Sequence, residues 1–231
     1  MKHTLLLTAL AFASFRSSAQ TLFPENKNVY GGAVNLNTGY EDNSISDTRN
    51  DKNFNNRFYF DVSKGKMTTD NVLKGYTLSV STLYNSNHSE YAGSSMISET
   101  KDHLYSVQIS RFRTKFHPVG KQGFQLLYRI YYGVGVGYQQ TKNKVTNNGT
   151  PLGEAKSESF GENVHAGISG GIAYKLNDKF ILFTSMSFLN TTLNTSHRKD
   201  YFKVNMSASS GLNSSNSLAF GLYWCPGANK K

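Results

Sequence analysis

Residues 124–138, reading FQLLYRIYYGVGVGY, alternate without a slip. Phe124, Leu126, Tyr128, Ile130, Tyr132, Val134, Val136 and Tyr138 fall on one face of an extended strand, and Gln125, Arg129, Gly133, Gly135 and Gly137 on the other. Side chains of a strand point alternately to its two faces. A run this long, with one face wholly apolar, is more than a soluble sandwich strand of ordinary length would bury. The wall of a transmembrane β-barrel, apolar toward lipid and polar or small toward the lumen for about ten residues, satisfies the pattern directly.

The start of the chain agrees with that placement. Lys2 and His3 precede an apolar run over residues 5–13, and Ser17, Ser18 and Ala19 supply small residues for cleavage. The spacing predicts an export signal over residues 1–20 and a mature chain from near Thr21. The run is too short for a membrane-spanning helix, and no later segment approaches the roughly 20 apolar residues one needs. The lone Cys225 leaves no partner for an intrachain disulfide and no Cys-based metal site, and an inert thiol is expected there.

Residues 1–20 contain Lys2 and Arg16 and no acid, so their removal lowers the formal charge from +10 to +8. Nucleic acid is not the expected partner of this basic chain: its lysines and arginines are scattered over turns and loops, and export removes it from most nucleic acid. The charge points instead to partners bearing phosphate groups, such as lipopolysaccharide.

Eight period-two segments are bounded by turn or loop signals. They span residues 29–40, 54–63, 76–84, 103–116, 124–138, 164–176, a stretch opening at 180, and 216–224. In the fourth, Tyr105, Val107 and Ile109 share a face with Arg111 and Arg113, while Phe112 and Phe116 share the opposite one. Either a β-bulge near Ser110 or a headgroup-level position for both arginines would explain this. The connections over 41–53, 85–102, 141–163 and 190–215 are long, and those over 64–75, 117–123 and 177–179 shorter. The pattern predicts an all-β fold: one closed antiparallel up-and-down transmembrane barrel, with long extracellular loops, short periplasmic turns and both termini inside.

In domain terms the reading is a cleaved signal at 1–20, a short periplasmic segment at 21–28, a barrel at 29–224 and a periplasmic tail at 225–231. Phe202, Val204, Met206 and Ala208 alternate too; they are read as a strand extension or hairpin in the last loop, with ten strands as the alternative. A soluble lipocalin-type barrel is the structural rival, and it would turn its apolar faces inward.

An arginine on the lipid face at mid-bilayer costs on the order of 2–4 kcal/mol, so Arg57 and Arg129 are expected inside, as their parity says. The lumen is then a polar network of Arg57, Tyr59, Asp61, Gln125, Arg129 and His165. In a barrel of this size such side chains fill the space.

The segments GGAVNLNTGY, YYGVGVGY and HAGISGGIAYKL, the closing SLAFGLYW and the signal ending SSAQ give the whole mature chain a family likeness. It resembles the small OmpA/OmpX-like outer-membrane barrels, in particular the outer-membrane β-barrel proteins of Bacteroidota-type bacteria. The resemblance implies location in the cell outer membrane and a structural, adhesive or secretion-accessory role, and a fold by itself names no activity. One departure is that residues 225–231 follow Trp224, where such chains usually end at the aromatic residue.

Three function classes follow. The first is a non-enzymatic barrel whose outer loops meet lipopolysaccharide, surface ligands or envelope proteins, with Lys101, Lys142, Lys144, Lys156, Arg198, Lys199 and Lys203 as phosphate contacts at the outer rim. The second is a narrow channel or secretion accessory. The third is an outer-leaflet lipid-modifying enzyme, for which His88, His103 and His197 lie at the right end, yet their neighbouring hydroxyls and acids alternate onto opposite faces. No catalytic residue is therefore assigned. The acidic loop with Glu41, Asp42, Asp47 and Asp51 lacks the EF-hand spacing, so no metal or cofactor is expected, and a monomer is.

Overall fold

The computed structural model describes residues 22–46, 49–68, 71–91, 95–119, 123–198, 201–210 and 218–227. These form β1 (Asn28–Ser46), β2 (Arg49–Thr68), β3 (Val72–Tyr91), β4 (Met96–Val119), β5 (Phe124–Asn147), β6 (Thr150–Lys175), β7 (Phe180–Arg198), β8 (Tyr201–Ser210) and β9 (Ala219–Trp224). Each strand from β1 to β7 pairs antiparallel with the next. β8 and β9 both lie along β7, opposite Leu189–Arg198 and Phe180–Ser185, so they occupy successive stretches of one line. β9 also pairs with β1, from Tyr30↔Trp224 to Val34↔Phe220. The sheet is an antiparallel, up-and-down ring closed by hydrogen bonds.

The ring is staggered. The rung leaving β1 at Tyr30 passes Lys64, Tyr76, Arg111, Tyr132 and Ala166 and reaches β7 at Thr191. Trp224 joins the same Tyr30 to Phe180, at the other end of β7. Such an offset requires tilted strands, by roughly 35–45° in closed barrels.

Exposure fixes which face is outside. Leu78, Val107, Ile130, Val134, Ile172 and Leu222 are between 38% and 53% exposed on the outer wall, whereas Asn35, Thr77, Ser79, Ser110 and His165 are buried inside. That is the reverse of a lipocalin. β4 keeps an unbroken register with both neighbours, so no bulge switches its parity. Phe112 and Phe116 point inward, and Arg111 and Arg113 stand on the outer wall.

The long connections differ from expectation. The stretches expected as extracellular loops are largely paired strand: β1 and β2 remain paired to Ser46↔Arg49, β3 and β4 to Glu90↔Ile97, β5 and β6 to Asn147↔Thr150, and β7 and β8 to Arg198↔Tyr201, with a register shift between Ser44 and Ser46 and another between Val145 and Thr146. The barrel ladder templates continued pairing, and where a hairpin projects past the ring both its faces are wet, so apolar alternation fades while pairing continues. At one tip Asn148 and Gly149 adopt φ of 50° and 75°, the left-handed pair that a tight two-residue hairpin turn requires. Residues 202–208 belong to one of these hairpins.

The end of the ring that carries both chain termini is filled by an apolar plug. Leu22, Phe23, Val29, Met67, Leu73, Phe116, Ile181, Tyr223 and Cys225 are each 1% exposed or less. Leu22 and Phe23 precede the first strand, so the segment expected as a short periplasmic lead-in is packed into the barrel end. Its backbone is tied there by Leu22 N–H to Asn71 Oδ1 at 3.3 Å and by Asn26 N–H to the Met67 carbonyl at 2.9 Å. Cys225, expected in the tail, lies in the same plug.

Candidate functional site

Above the plug lies a lumenal cavity of about 350 Å³, lined by Arg57, Tyr59, Asp61, Arg129, Tyr131, His165 and a set of serines and threonines. Its shape comes from glycines. Across the sheet Ser110, Gly133 and His165 share one rung, and Gln108, Gly135 and Asn163 the next. A Cβ on Gly133 would lie 2.7 Å from Ser110 Oγ, and one on Gly135 would lie 2.5 Å from Gln108 Cγ. The missing side chains of β5 let those of β4 and β6 meet over it, so Ser110 Oγ reaches His165 Nε2 at 2.7 Å.

Of the six positions read as a lumen network, five line this cavity: Arg57, Tyr59, Asp61, Arg129 and His165. They form separate groups. Tyr59 donates to Ser79 Oγ at 2.9 Å, with Asp61 beside both. Arg129 donates through Nε to Thr114 Oγ1 at 3.0 Å and through Nη2 to the Tyr223 hydroxyl, and its guanidinium lies 4.4 Å over the Phe112 ring. It caps the plug with a charge. Asp61 makes no direct ion pair with it among the described residues, and Asp61 Oδ1 is buried without a hydrogen-bond partner. Gln125 does not line the cavity; it is buried at the plug end with its amide oxygen unpartnered.

His165 also bonds Asn163 Oδ1 through Nδ1 at 3.1 Å. Hydroxyl, imidazole and amide in line is the order that activates a serine nucleophile. Here it braces the wall. Ser110 is mid-strand, where the flanking backbone N–H groups belong to the ladder, so no paired donors are left to stabilise an oxyanion. The signal for this contact was the inward glycine of the intervening strand, which the alternation alone did not single out.

On the outer hairpins Lys101, Lys142 and Lys156 share a rung, flanked by Glu99, Lys144 and Glu154 on one side and by Glu158 on the other. Lys101 pairs with Glu99 at 2.7 Å and Lys156 with Glu158 at 2.6 Å. Those bonds hold both carboxylates below their ordinary range, Glu99 through Lys101 and Glu158 through Lys156. Lys203 is exposed on β8, the Arg198 side chain is not described, and Lys199 lies outside the described residues. The rim is therefore mixed in charge, each pairing acid standing two residues from its lysine on the same strand face.

Two of the three histidines at this end have acidic partners. His88 Nε2 is 3.1 Å from Glu90 and His197 Nε2 is 3.0 Å from Glu162, which also accepts from Thr195. In the latter group hydroxyl and imidazole both address the carboxylate, so the histidine is not placed to deprotonate the hydroxyl. His103 packs at a 52° tilt against Tyr84, with ring centroids 4.9 Å apart. Among the described residues no group of three His, Cys, Asp or Glu side chains is placed to hold a metal. In the acidic stretch, the side chains of Glu41 and Asp42 are not described, and Asp47 lies outside the described residues.

No family model matches the chain, and no curated protein sequence matches it. Among solved structures it is similar to Ail, the attachment invasion locus protein of Yersinia pestis, at 10% identity over 87% of this chain and 99% of that one, with a TM-score of 0.30. It is similar to Neisserial surface protein A at 15% identity over 86% and 96%, TM-score 0.27. It is also similar to the ferric yersiniabactin uptake receptor FyuA from Yersinia pestis at 12% identity and TM-score 0.35, covering 85% of this chain and 32% of the receptor. The chain thus spans about a third of that receptor's length.

Proposed function

We propose that this chain is an outer-membrane β-barrel of eight staves, β8 and β9 forming the last, with both termini in the periplasm and no catalytic role. It serves a structural or surface-binding function through its outer hairpins. The observation that carries this reading is the belt of exposed apolar side chains around a closed ring, above which polar hairpins extend on one side only. A soluble protein does not leave so continuous an apolar wall to water. Lys142, Lys144 and Lys203 form no ion pair among the described residues and can meet lipid A phosphates, while Lys101 and Lys156 are engaged by glutamates.

The plug supports a non-conducting barrel over the channel reading, because its side chains fill the termini end. The test is fractionation, with unheated and boiled samples of the outer membrane compared on a gel, and a planar-bilayer recording of the purified barrel. A mobility shift with a flat trace is the expected result. Recovery as a soluble protein without detergent would overturn the membrane reading, and steady conductance would overturn the plugged one.

A further inference from the structure

The outer wall carries a second charged region, at the termini end. Lys64, Lys66, Lys74, Arg111, Arg113 and Lys115 lie on three adjacent strands, β2, β3 and β4, and belong to the outward face. Their register brings them together: Lys66 opposes Lys74, Lys74 opposes Arg113, and Tyr76 lies between Lys64 and Arg111. None forms an ion pair with a described residue, and Lys64 Nζ lies 5.7 Å from the centroid of the Tyr30 ring. Below Tyr40, the outward face of β1 to β5 holds no acidic residue.

Height decides what these cations meet. With strands tilted as in closed barrels, each step to the next strand shifts the level by about one residue, so Lys64, Lys66, Lys74, Arg113 and Lys115 fall within one narrow band. Tyr30, Tyr128 and Trp224 occupy the same band, and Tyr30 and Trp224 pack with ring centroids 5.9 Å apart. Interfacial aromatics mark the headgroup level, where a cation costs little, and Arg111, one step higher, reaches down to it. The hairpins carrying lipid A's side of the wall are at the opposite end.

From this we infer that the patch is a binding surface for anionic glycerophospholipid headgroups of the periplasmic leaflet, whose phosphates supply the counter-charge the protein omits. The inference rests on the membrane-spanning reading above. Phosphate oxygens accept hydrogen bonds from guanidinium and ammonium groups, and basic clusters at a membrane surface recruit anionic lipid. The tyrosines alternating with the cations seat the acyl chains at the glycerol level.

Trp224, the only tryptophan of the chain, stands two strands from Lys64 in the same rung and reports on the neighbouring lipid. The full barrel is refolded into phosphatidylcholine vesicles containing a small equal fraction of brominated phosphatidylglycerol, brominated phosphatidylcholine or, in a third set, lipid A. Quenching by the brominated anionic lipid should exceed that by the brominated neutral lipid by about twofold or more, and K64Q/K66Q/K74Q/R113Q should bring the two together. Equal quenching of the wild-type barrel by both lipids overturns the proposal, as does preferential displacement of the anionic lipid from Trp224 by lipid A. Folding in each vesicle is read by heat-modifiable mobility. Failure of the wild-type chain to fold in any of them would instead sink the membrane reading, and the four exposed substitutions should leave the mobility shift intact.

Discussion

The two ends of this barrel solve opposite problems with the same strands. At the termini end, apolar side chains fill the inside and unpaired cations stand on the outer wall; at the hairpin end the inside is polar and wet, and the outer lysines alternate with glutamates. On the membrane-spanning reading proposed above, the cations left unneutralised at the termini end sit where anionic headgroups can neutralise them. At the hairpin end the protein supplies counter-charges of its own to Lys101 and Lys156, through Glu99 and Glu158. The difference teaches that a lysine's meaning on a barrel wall depends on its height and on whether an acid stands two residues away on the same face of its strand.

The comparison can be broken most decisively at the plug. Phe23→Ala should lower stability by about 3–5 kcal/mol, as for other buried aromatic truncations, in a urea titration followed by Trp224 fluorescence; the same truncation of Val145 in the outer hairpin should leave the midpoint nearly unchanged. Next in size, Val134→Arg on the lipid wall should cost about 2–4 kcal/mol in vesicles, against little for Thr146→Arg on the hairpin. Equal costs at the two sites would mean that the bilayer does not end where the charged hairpins begin.

Gly133→Ala probes the lumen between the ends. Its Cβ would press on Ser110 and on the Ile109 carbonyl at 2.2 Å, so a loss of about 1–3 kcal/mol is expected, with a shifted His165 ring resonance as the local sign. The smallest effect is in acid. Glu158 and Glu99 are held below the ordinary glutamate range by their lysines, so their contribution is fully present above the unfolded-state value and is lost as pH falls through the lower folded-state one. Hydrogen exchange should then quicken at residues 98–102 and 155–159 while the plug, which contains no carboxylate, keeps its protection.

Much of the wall could be read from alternation, because an exposed apolar face on one side and a narrow polar lumen on the other force a strict period of two. The placement of Arg57, Tyr59, Asp61, Arg129 and His165 around one cavity followed from that parity. What alternation could not supply was contact across strands. Arg129 finds Tyr223, 94 residues away, and His197 finds Glu162, 35 away, because register and tilt bring them together. The hairpins were missed for another reason: in a stretch such as TKNKVTNN both faces meet water, so pairing leaves no apolar signature. Leu22 and Phe23 were missed because two apolar residues in a short segment before the first strand, read as a periplasmic lead-in, carry no periodicity that marks them as buried.

The plug draws on the first and last described parts of the chain, since Leu22 and Phe23 share it with Tyr223 and Cys225. Its formation therefore has to wait until the ring has closed, and the single thiol passes from reagent-accessible to shielded at that moment. Cys225 is a built-in clock for the final step of assembly, readable by timed alkylation without any added label.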